Sequence, residues 1–414
     1  MKVGHGTAVL HVPDGTPMGG YIDRPGPSAG VLDPLQVSAV TWFDGERRFA
    51  LATADVICVN EDLAARTRRA VDADLRQTAA HSPVSAELWL AATHTHAGPE
   101  TGCVPGGGRT PEPWLKRITE AVRTAVHRAV DAERPARGTL HRGDLHHVGA
   151  DRSRPDAPPT VPLDVIAVRD AGGLAGVVVV LPVHPTVLPP GNLRVSADLP
   201  GAVRRALGAR LGSAWVTVAT GAAGDISTRN TRRAQNPAEL DRLGALVADR
   251  CLDLLSAPGT PAWTDGRIAC TSARRTLAPY TALAHLTRDT PADDRLPHLA
   301  RDTPAGDRLA RSRLEGARAR RVLTGDIEAT VQVARIGDLG LAGLPGEPFQ
   351  AIAGRILSGQ TRPAVVLGYV NGYPGYLPTA EDYARAEYEV LVAAVAPGSG
   401  ELLGEAVREL LEET

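Results

Sequence analysis

The chain is 414 residues long, which is enough to bury a large core as one α/β unit or as two domains. Its 45 Lys and Arg against 47 Asp and Glu give a formal charge of −2, which excludes the basic footprint of nucleic-acid or anionic-membrane binding. No two cysteines form a CxxC pair, which argues against a thiolate zinc site and a disulfide framework; they are Cys58, Cys103, Cys251 and Cys270.

The N-terminal residues from Met1 to Gly6 lack a basic segment followed by an apolar core, so no signal peptide is predicted. No apolar stretch approaches the ~20 residues needed to span a bilayer. We therefore expect a cytoplasmic protein that binds a small molecule, with no nucleic-acid partner and no membrane span. The sequence leaves the oligomeric state open, including a homo-oligomer.

Predicted strands and helices alternate through the first third of the chain, a pattern that favours an α/β fold. The strands are predicted at 7–10, at 37–43 and 48–56 as a hairpin around Asp44-Gly45, and from Leu88 toward His94. Helices are predicted over 61–79 and 113–133.

The remaining predicted strands fall at 163–168, 174–183, 214–219, 332–336, 339–344 and 364–370, and a later helix carries Tyr383 and Tyr388. Asp198 is predicted to cap a helix, and His141, His146 and His147 are expected in a solvated loop. A charged repeat predicts an exposed insertion at about 285–321. We expect a single domain over 1–414, with a mixed β-sheet core flanked by helices.

The segment Thr93–Pro99 (THTHAGP) places two histidines at a strand end. In an extended chain residues two apart point the same way, so His94 and His96 should enter one pocket. One imidazole could then hold a metal while the other moves protons. An isolated HxH pair is more often a surface feature, and the polar residues farther along the chain decide against that interpretation.

Several polar residues follow the carboxyl ends of predicted buried strands: His94, His184, Ser227, Glu347 and the loop with Tyr373 and Tyr376. In open α/β sheets ligands bind at this edge. Two histidines and a glutamate form a catalytic zinc set that leaves a position for water, whereas a structural zinc is closed by four residues, usually including cysteine. The combination argues for metal-dependent hydrolysis.

The ordered motifs resemble the N-terminal catalytic domain of the neutral, non-lysosomal ceramidases. They cover nearly the whole chain and are Thr93–Pro99, Val183–Thr186 (VHPT), Ser196–Gly201 (SADLPG), Gly221–Ser227 (GAAGDIS), Leu344–Phe349 (LPGEPF), Tyr376–Thr379 (YLPT), Glu381–Tyr383 (EDY) and Tyr388-Glu389. Each motif alone is weak, but the ordered set is specific.

The resemblance implies a zinc ion held by His94, His184, Glu347 and Tyr376, with the scissile amide surrounded by His96, Arg152, Ser227 and Tyr388. Zinc would lower the pKa of water and polarise the carbonyl, His96 would relay protons, and Tyr388 would donate to the developing oxyanion. Ser227 has been interpreted as a nucleophile in this family. We favour a substrate-positioning role, because metal-dependent hydrolysis leaves little need for an acyl-enzyme.

The chain also departs from the family pattern. We expect neither the signal peptide nor the C-terminal immunoglobulin-like domain of the ceramidases. Ala97 replaces the usual serine, Arg229 places a charge near the mouth of the site, and aromatic residues make up only 4% of the chain. These departures favour a small substrate over long-chain ceramide.

Three functions are therefore open. The first is a zinc-dependent amidohydrolase that cleaves a small N-acyl compound in a specialised biosynthetic pathway. The second uses the same site for acyl transfer or for amide or lactam ring closure, which requires a pocket that excludes water. The third is a non-catalytic binding protein, which is disfavoured because all four implied zinc ligands are retained.

Overall fold

The computed structural model describes residues 1–78, 86–154, 156–264, 266–280, 325–385 and 387–414. The charged repeat predicted at about 285–321 lies outside these residues. The described strands are β1 (Lys2–Leu10), β2 (Leu35–Phe43), β3 (Arg48–Ala54), β4 (Ala86–Ala92), β5 (Arg134–Pro135), β6 (Arg137–His146), β7 (Ala150–Asp151), β8 (Thr160–Asp170), β9 (Gly173–Leu181), β10 (Trp215–Thr220), β11 (Ile226–Ser227), β12 (Thr260–Trp263), β13 (Ile268–Leu277), β14 (Ile327–Ile336), β15 (Leu339–Gly343), β16 (Glu347–Pro348), β17 (Ala364–Leu367) and β18 (Tyr376–Leu377).

The helices of the described ranges are α1 (Glu61–Thr78), α2 (Glu112–Asp131), α3 (Asp198–Leu211), α4 (Pro237–Ser256), α5 (Gln350–Leu357), α6 (Tyr388–Val392) and α7 (Ser399–Glu413), with a 3₁₀ turn at Asp382–Arg385. Within those ranges, every helix falls short of the length and apolar character that crossing a membrane requires.

Three mixed sheets form the framework. Their strand orders are β4-β3-β2-β1-β5, β10-β9-β8-β6-β12 and β13-β14-β15-β17. Each sheet is antiparallel except for one pair, which is β3 with β4, β9 with β10, or β15 with β17. The expected α/β fold with a mixed β-sheet core is confirmed.

The sheets bury both of their faces. Along β4, Leu88 and Leu90 point to the side covered by α1 and α2, while Trp89 points to the opposite side. That opposite side is a core shared by all three sheets, to which the second sheet contributes Val178 and the third contributes Leu341. Helices α3 and α4 cover the second sheet, and α5 and α7 cover the third. Burial on both faces explains the nearly continuous apolar runs of these strands.

The carboxyl ends of the three sheets are tied directly together. The amide of Ala92, at the end of β4, donates to Tyr369 O at 3.1 Å, which joins the first and third sheets. The amide of Gly368 donates to Thr220 O at 3.0 Å, which joins the third and second. The hydroxyl of Thr220 donates to Thr93 O at 3.0 Å, closing the circuit. Residues that follow these strands are therefore held at one point.

Two sequence expectations are wrong. His141 was expected in a solvated loop, but it lies in β6, is 5% exposed, and its Nδ1 is 2.9 Å from Leu254 O. The sequence of β6 is largely polar, so pairing with β8 and β12 decides its structure rather than apolar alternation. The helix expected to carry Tyr383 and Tyr388 is divided between the 3₁₀ turn and α6.

Strand β1 approaches α2 closely because it carries glycine at alternate positions. A Cβ at Gly4 would lie 1.9 Å from Ala129 O, and one at Gly6 would lie 2.3 Å from Ala125 O. Both glycines face the helix, since residues two apart in a strand share a face. Any side chain there must push α2 away from the sheet.

We predict that Gly6→Ala lowers the free energy of unfolding by about 1–3 kcal/mol, the usual cost of overpacking. The matched control is Gly208→Ala in α3, where a Cβ meets nothing within 4 Å and alanine should gain about 0.5–1 kcal/mol. Denaturant unfolding of the two variants measures the difference. Equal stabilities for Gly6→Ala and wild type would contradict the close packing.

Candidate metal and catalytic site

Three imidazoles meet where the sheet ends converge. His94 Nε2 lies 3.1 Å from His184 Nε2, and His96 Nε2 lies 3.1 Å from His184 Nε2 and 3.3 Å from His94 Nε2. All three side chains are buried. The structure therefore brings together the two histidines of the HxH segment and the histidine that follows β9.

His94 and His96 converge for a reason different from the one the sequence suggested. Strand β4 ends at Ala92, and His94 has a left-handed backbone with φ of 63°, so the segment is not extended. The prediction that both histidines enter one pocket is correct, but the reason given for it, that residues two apart in an extended chain point the same way, is wrong. The backbone turn at His94 aims its ring toward His184, with the ring planes at 90°.

Two of the imidazoles have fixed tautomers. His94 Nδ1 lies 2.5 Å from Ile57 O, and His184 Nδ1 lies 3.2 Å from Ala223 O. A carbonyl oxygen can only accept a hydrogen bond, so each Nδ1 carries the proton and each Nε2 presents a lone pair to the centre. Metal-ligating histidines almost always make this outer hydrogen bond.

The loop after His184 is held by Asp198. Its carboxylate accepts hydrogen bonds from the amides of Val187 at 3.1 Å, Leu188 at 3.0 Å and Leu199 at 2.8 Å. The predicted capping role is wrong in its geometry: Ala197 occupies the N-cap position of α3, and Asp198 is the first helical residue, with φ of 50°. Burial raises the pKa of Asp198 to about 6, against the opposing effect of these amides.

His96 differs from the other two histidines. Its buried Nδ1 makes no well-formed hydrogen bond within the described ranges and packs against the backbone of Gly20. A Cβ at Gly20 would lie 2.5 Å from that Nδ1, and the ring of Tyr21 packs edge-on against His96 at 4.9 Å. The outer hydrogen bond of His96, to the backbone of Gly20, is therefore less well formed than those of the other two rings.

Glu347 supplies a carboxylate to the same point. Its Oε1 accepts a 2.5 Å hydrogen bond from the Tyr373 hydroxyl, while Oε2 lies 3.3 Å from His94 Nε2 and 3.8 Å from His184 Nε2. Oε2 forms no well-aligned hydrogen bond with any described residue. Helix α5 begins at Gln350 with Phe349 as its N-cap, so Glu347 does not cap it.

The donor set fits a divalent cation. Four ligands at about 2.0–2.1 Å in a tetrahedron are separated by about 3.3 Å, close to the spacing of these atoms. Burial, together with neighbouring positive groups, lowers the pKa of His96 and His184 well below the usual value, so both rings are neutral. Burial alone would raise the pKa of Glu347, but His94, Tyr373 and Arg152 lower it, which favours the carboxylate.

Arg152 and Glu389 form a buried ion pair beside Tyr376. Arg152 Nε lies 2.5 Å from Glu389 Oε1, and the side chains are 6% and 3% exposed. Arg152 Nη2 donates to Gly224 O at 2.7 Å and to the Tyr376 hydroxyl at 3.1 Å. Burial would lower the pKa of Arg152, but Glu389, Tyr376 and Glu347 together outweigh it and hold that pKa well above its usual value. Glu389 belongs to a quoted motif, but no pattern in the sequence indicated that Arg152 is its partner.

The two tyrosines of the implied site lie side by side. The rings of Tyr376 and Tyr388 pack edge to face at 6.1 Å, and the Tyr376 ring is parallel to that of His184 at 6.4 Å. Burial, reinforced by the charge of Glu347, raises the pKa of Tyr376 well above its usual value. The Tyr376 phenol is therefore held in its neutral form, and both tyrosines line the cavity.

Ser227 is close to the site through its backbone. It pairs with His184 as an isolated parallel bridge, and its hydroxyl accepts the Arg229 amide at 3.2 Å. It is 2% exposed. Among the described residues that line the cavity, Ser227 does not appear.

The site opens into a cavity of about 310 Å³. Its wall contains residues that the sequence had not singled out, notably Tyr21, Glu100 and Cys103. The complete lining in the described ranges is Gly20, Tyr21, Ile22, Ile57, His94, His96, Glu100, Cys103, Pro105, Glu347, Tyr373, Tyr376, Tyr388 and Val392. This volume falls at the small end of ligand pockets.

We predict that Glu389→Gln lowers the free energy of unfolding by about 3–5 kcal/mol, because it leaves the Arg152 guanidinium buried without its counter-charge. The control is Glu112→Gln, which breaks a pair with Arg66 whose side chains are 40% and 74% exposed, and it should change stability by less than about 1 kcal/mol. Denaturant unfolding compares the two. A Glu389→Gln protein as stable as the control would contradict the structural role of the pair.

Comparison with known proteins identifies the fold. No protein-family model matches the sequence, and no curated protein gives a significant match. Among solved structures, neutral ceramidase from Pseudomonas aeruginosa matches with a TM-score of 0.75 and 20% identity, over 100% of this chain and 74% of that one. A structure described as ceramidase complexed with C2 matches at 0.74 and 18%, over 100% and 75%. The resemblance drawn from the motifs is thus confirmed for the fold: this chain has the fold of the neutral ceramidases.

Proposed function

We propose that the protein is a zinc-dependent amidohydrolase that cleaves the amide bond of a small N-acyl compound. The observation that carries this proposal is the buried meeting of His94 Nε2, His184 Nε2 and Glu347 Oε2, separated by 3.1, 3.3 and 3.8 Å. Two histidines and one glutamate suit catalytic zinc, and the solved structures that share this fold are described as ceramidases.

In this proposal His94, His184 and Glu347 hold the zinc ion, with Tyr376 as the further ligand that the family resemblance implies. The outer hydrogen bonds of His94 and His184, and of Glu347 to Tyr373, support this set. Bound zinc supplies a Lewis acid that polarises the scissile carbonyl and lowers the pKa of the attacking water.

His96 is assigned the proton transfers. Its Nε2 points at the same centre as the ligands, while the outer hydrogen bond of its Nδ1, to the Gly20 backbone, is poorly formed. It would take a proton from the attacking water and return one to the leaving amine. Tyr388 would donate to the developing oxyanion, and Arg152 would hold the Tyr376 hydroxyl in place. Ser227 does not line the cavity, so its substrate-positioning role would act through its backbone bridge to His184.

The small substrate is supported by the size and the lining of the cavity. A volume of about 310 Å³ suits a compound of modest size, and its wall mixes Ile22, Ile57 and Val392 with polar groups. A long acyl chain would have to extend beyond this wall.

The first test of this function measures zinc content and amide turnover in four proteins: wild type, His94→Ala, His184→Ala and His96→Ala. Wild type should bind one zinc per chain after chelation and reconstitution. His94→Ala and His184→Ala should bind zinc much more weakly, because each removes a ligand. His96→Ala should keep its zinc and lose about 100- to 10,000-fold in turnover.

The pattern of zinc loss decides between roles. If His96→Ala loses zinc while His94→Ala retains it, the assignments of the two residues are reversed. Stoichiometric zinc of unchanged affinity in His184→Ala would rule out the proposed ligand set.

The second test addresses substrate size. Long-chain ceramide should be cleaved less efficiently than short N-acyl amines, because the cavity is small. Initial rates with both substrate types, measured side by side on the zinc-loaded protein, check this expectation. Ceramide turnover equal to that of the best short amide would contradict it.

A further inference from the structure

The cavity wall contains a carboxylate that takes no part in the proposed chemistry. Glu100 follows the HxH segment by four residues and lines the same cavity as His94, His96 and Glu347. Glu100 and Glu347 are the two carboxylates of the described lining, and no lysine or arginine is part of it. Glu347 faces the histidines, so the charge of Glu100 requires a separate explanation.

One oxygen of Glu100 has a structural partner. Oε1 accepts hydrogen bonds from the amides of Gly102 at 2.7 Å and Cys103 at 2.8 Å, which holds the side chain in one orientation. The amide of Glu100 itself donates to Pro17 O at 2.9 Å. A neutral glutamine oxygen could accept the same two bonds, so the turn does not require a negative charge.

The other oxygen of Glu100 lies beside Gly19, where only a residue without a side chain fits. A Cβ at Gly19 would lie 3.1 Å from Glu100 Oε2 and 2.9 Å from Ile57 Cγ2. Ile57 also lines the cavity. Any larger residue at 19 would press on the carboxylate and on this wall.

The described residues offer no ion-pair partner for Glu100. None of their cations forms an ion pair with it. Arg24 contacts the Gly19 carbonyl from nearby, but its guanidinium is hydrogen-bonded to the backbone carbonyls of Asn192 and His96, and it is not part of the cavity lining. A half-buried carboxylate without a neighbouring counter-charge attracts a cation.

We propose that Glu100 forms a subsite for a positively charged nitrogen, so that the preferred substrates are N-acyl compounds that carry an ammonium group. The inference rests on the proposed amide hydrolysis and narrows its substrate class. Oε2 would accept a charge-assisted hydrogen bond from the ammonium while the acylated nitrogen lies at the histidines. The chemistry is otherwise unchanged: water adds, and a carboxylate and an amine leave.

Cys103 is a neutral part of the wall beside Glu100. Its amide donates to Glu100 Oε1. Burial, together with the neighbouring Cys58, raises the pKa of its thiol well above the usual value. A cation at Glu100 therefore meets no opposing charge from this side chain.

The test uses three acetamides of similar length on the zinc-loaded protein. N-acetyl-1,5-diaminopentane carries an ammonium group, N-acetylpentylamine is neutral, and 6-acetamidohexanoate is an anion. Wild type should prefer the ammonium compound in kcat/KM. Glu100→Gln should lose about 10- to 100-fold for that compound and leave the neutral one nearly unchanged, because an ammonium–carboxylate bond is worth this factor. Glu46→Gln, on the exposed turn after β2, is the matched control and should change none of the three.

A binding measurement separates this inference from the proposed function. Calorimetric titration with n-pentylammonium, compared with pentan-1-ol, reports the cation subsite without any turnover. If no amide is cleaved but wild type binds n-pentylammonium more tightly than Glu100→Gln does, the hydrolase proposal fails and the subsite stands. If amides are cleaved but Glu100→Gln affects all three alike, or affects none, the subsite is overturned and the hydrolase stands. If neither turnover nor cation-dependent binding is found, both are overturned.

Discussion

The carboxylate of Glu347 sets the constraint on which the site depends. It is 1% exposed, and its Oε2 faces two imidazole nitrogens without a well-aligned hydrogen bond in the described residues. A buried charge of this kind is costly unless a counter-charge lies beside it. The surrounding histidines do not neutralise it readily, since burial lowers the pKa of His96 and His184. A divalent cation would satisfy the carboxylate and the facing lone pairs at the same time.

The fold delivers this arrangement by taking one side chain from each sheet. His94 follows β4 of the first sheet, His184 follows β9 of the second, and Glu347 follows β15 of the third. The spacing between donors therefore depends on how the sheet ends are tied together. His94, Tyr369 and Asn371, which lie next to the hydrogen bonds between the sheets, have left-handed backbone conformations. Each such conformation costs roughly 1–2 kcal/mol of folding free energy. The hydrogen bonds of Ala92, Thr220 and Gly368 keep those conformations in place.

The sequence was sufficient to predict the strands that follow apolar patterns and the polar residues at the ends of those strands. The strands of the β2–β3, β8–β9 and β14–β15 hairpins were predicted because both strands of each are apolar. Strand β6 was missed because its stability comes from pairing with neighbours distant in sequence. The turn at His94 and the partner of Arg152 were missed for the same reason. Local pattern reports which residues are buried, but contacts between distant segments decide backbone turns and ion pairs.

The charges around the cavity differ in how they are compensated, and this difference separates structural from recognition roles. Arg152 and Glu389 neutralise each other within 2.5 Å, so the pair can orient Tyr376 without attracting a ligand. Glu347 faces the histidines and is explained by a cation at that centre. Glu100 lies on the same wall with one oxygen bound to backbone amides and with no ion pair to a described residue. Among the described residues, Glu100 is thus the cavity carboxylate without a counter-charge, which is the basis for proposing a cationic substrate group beside it.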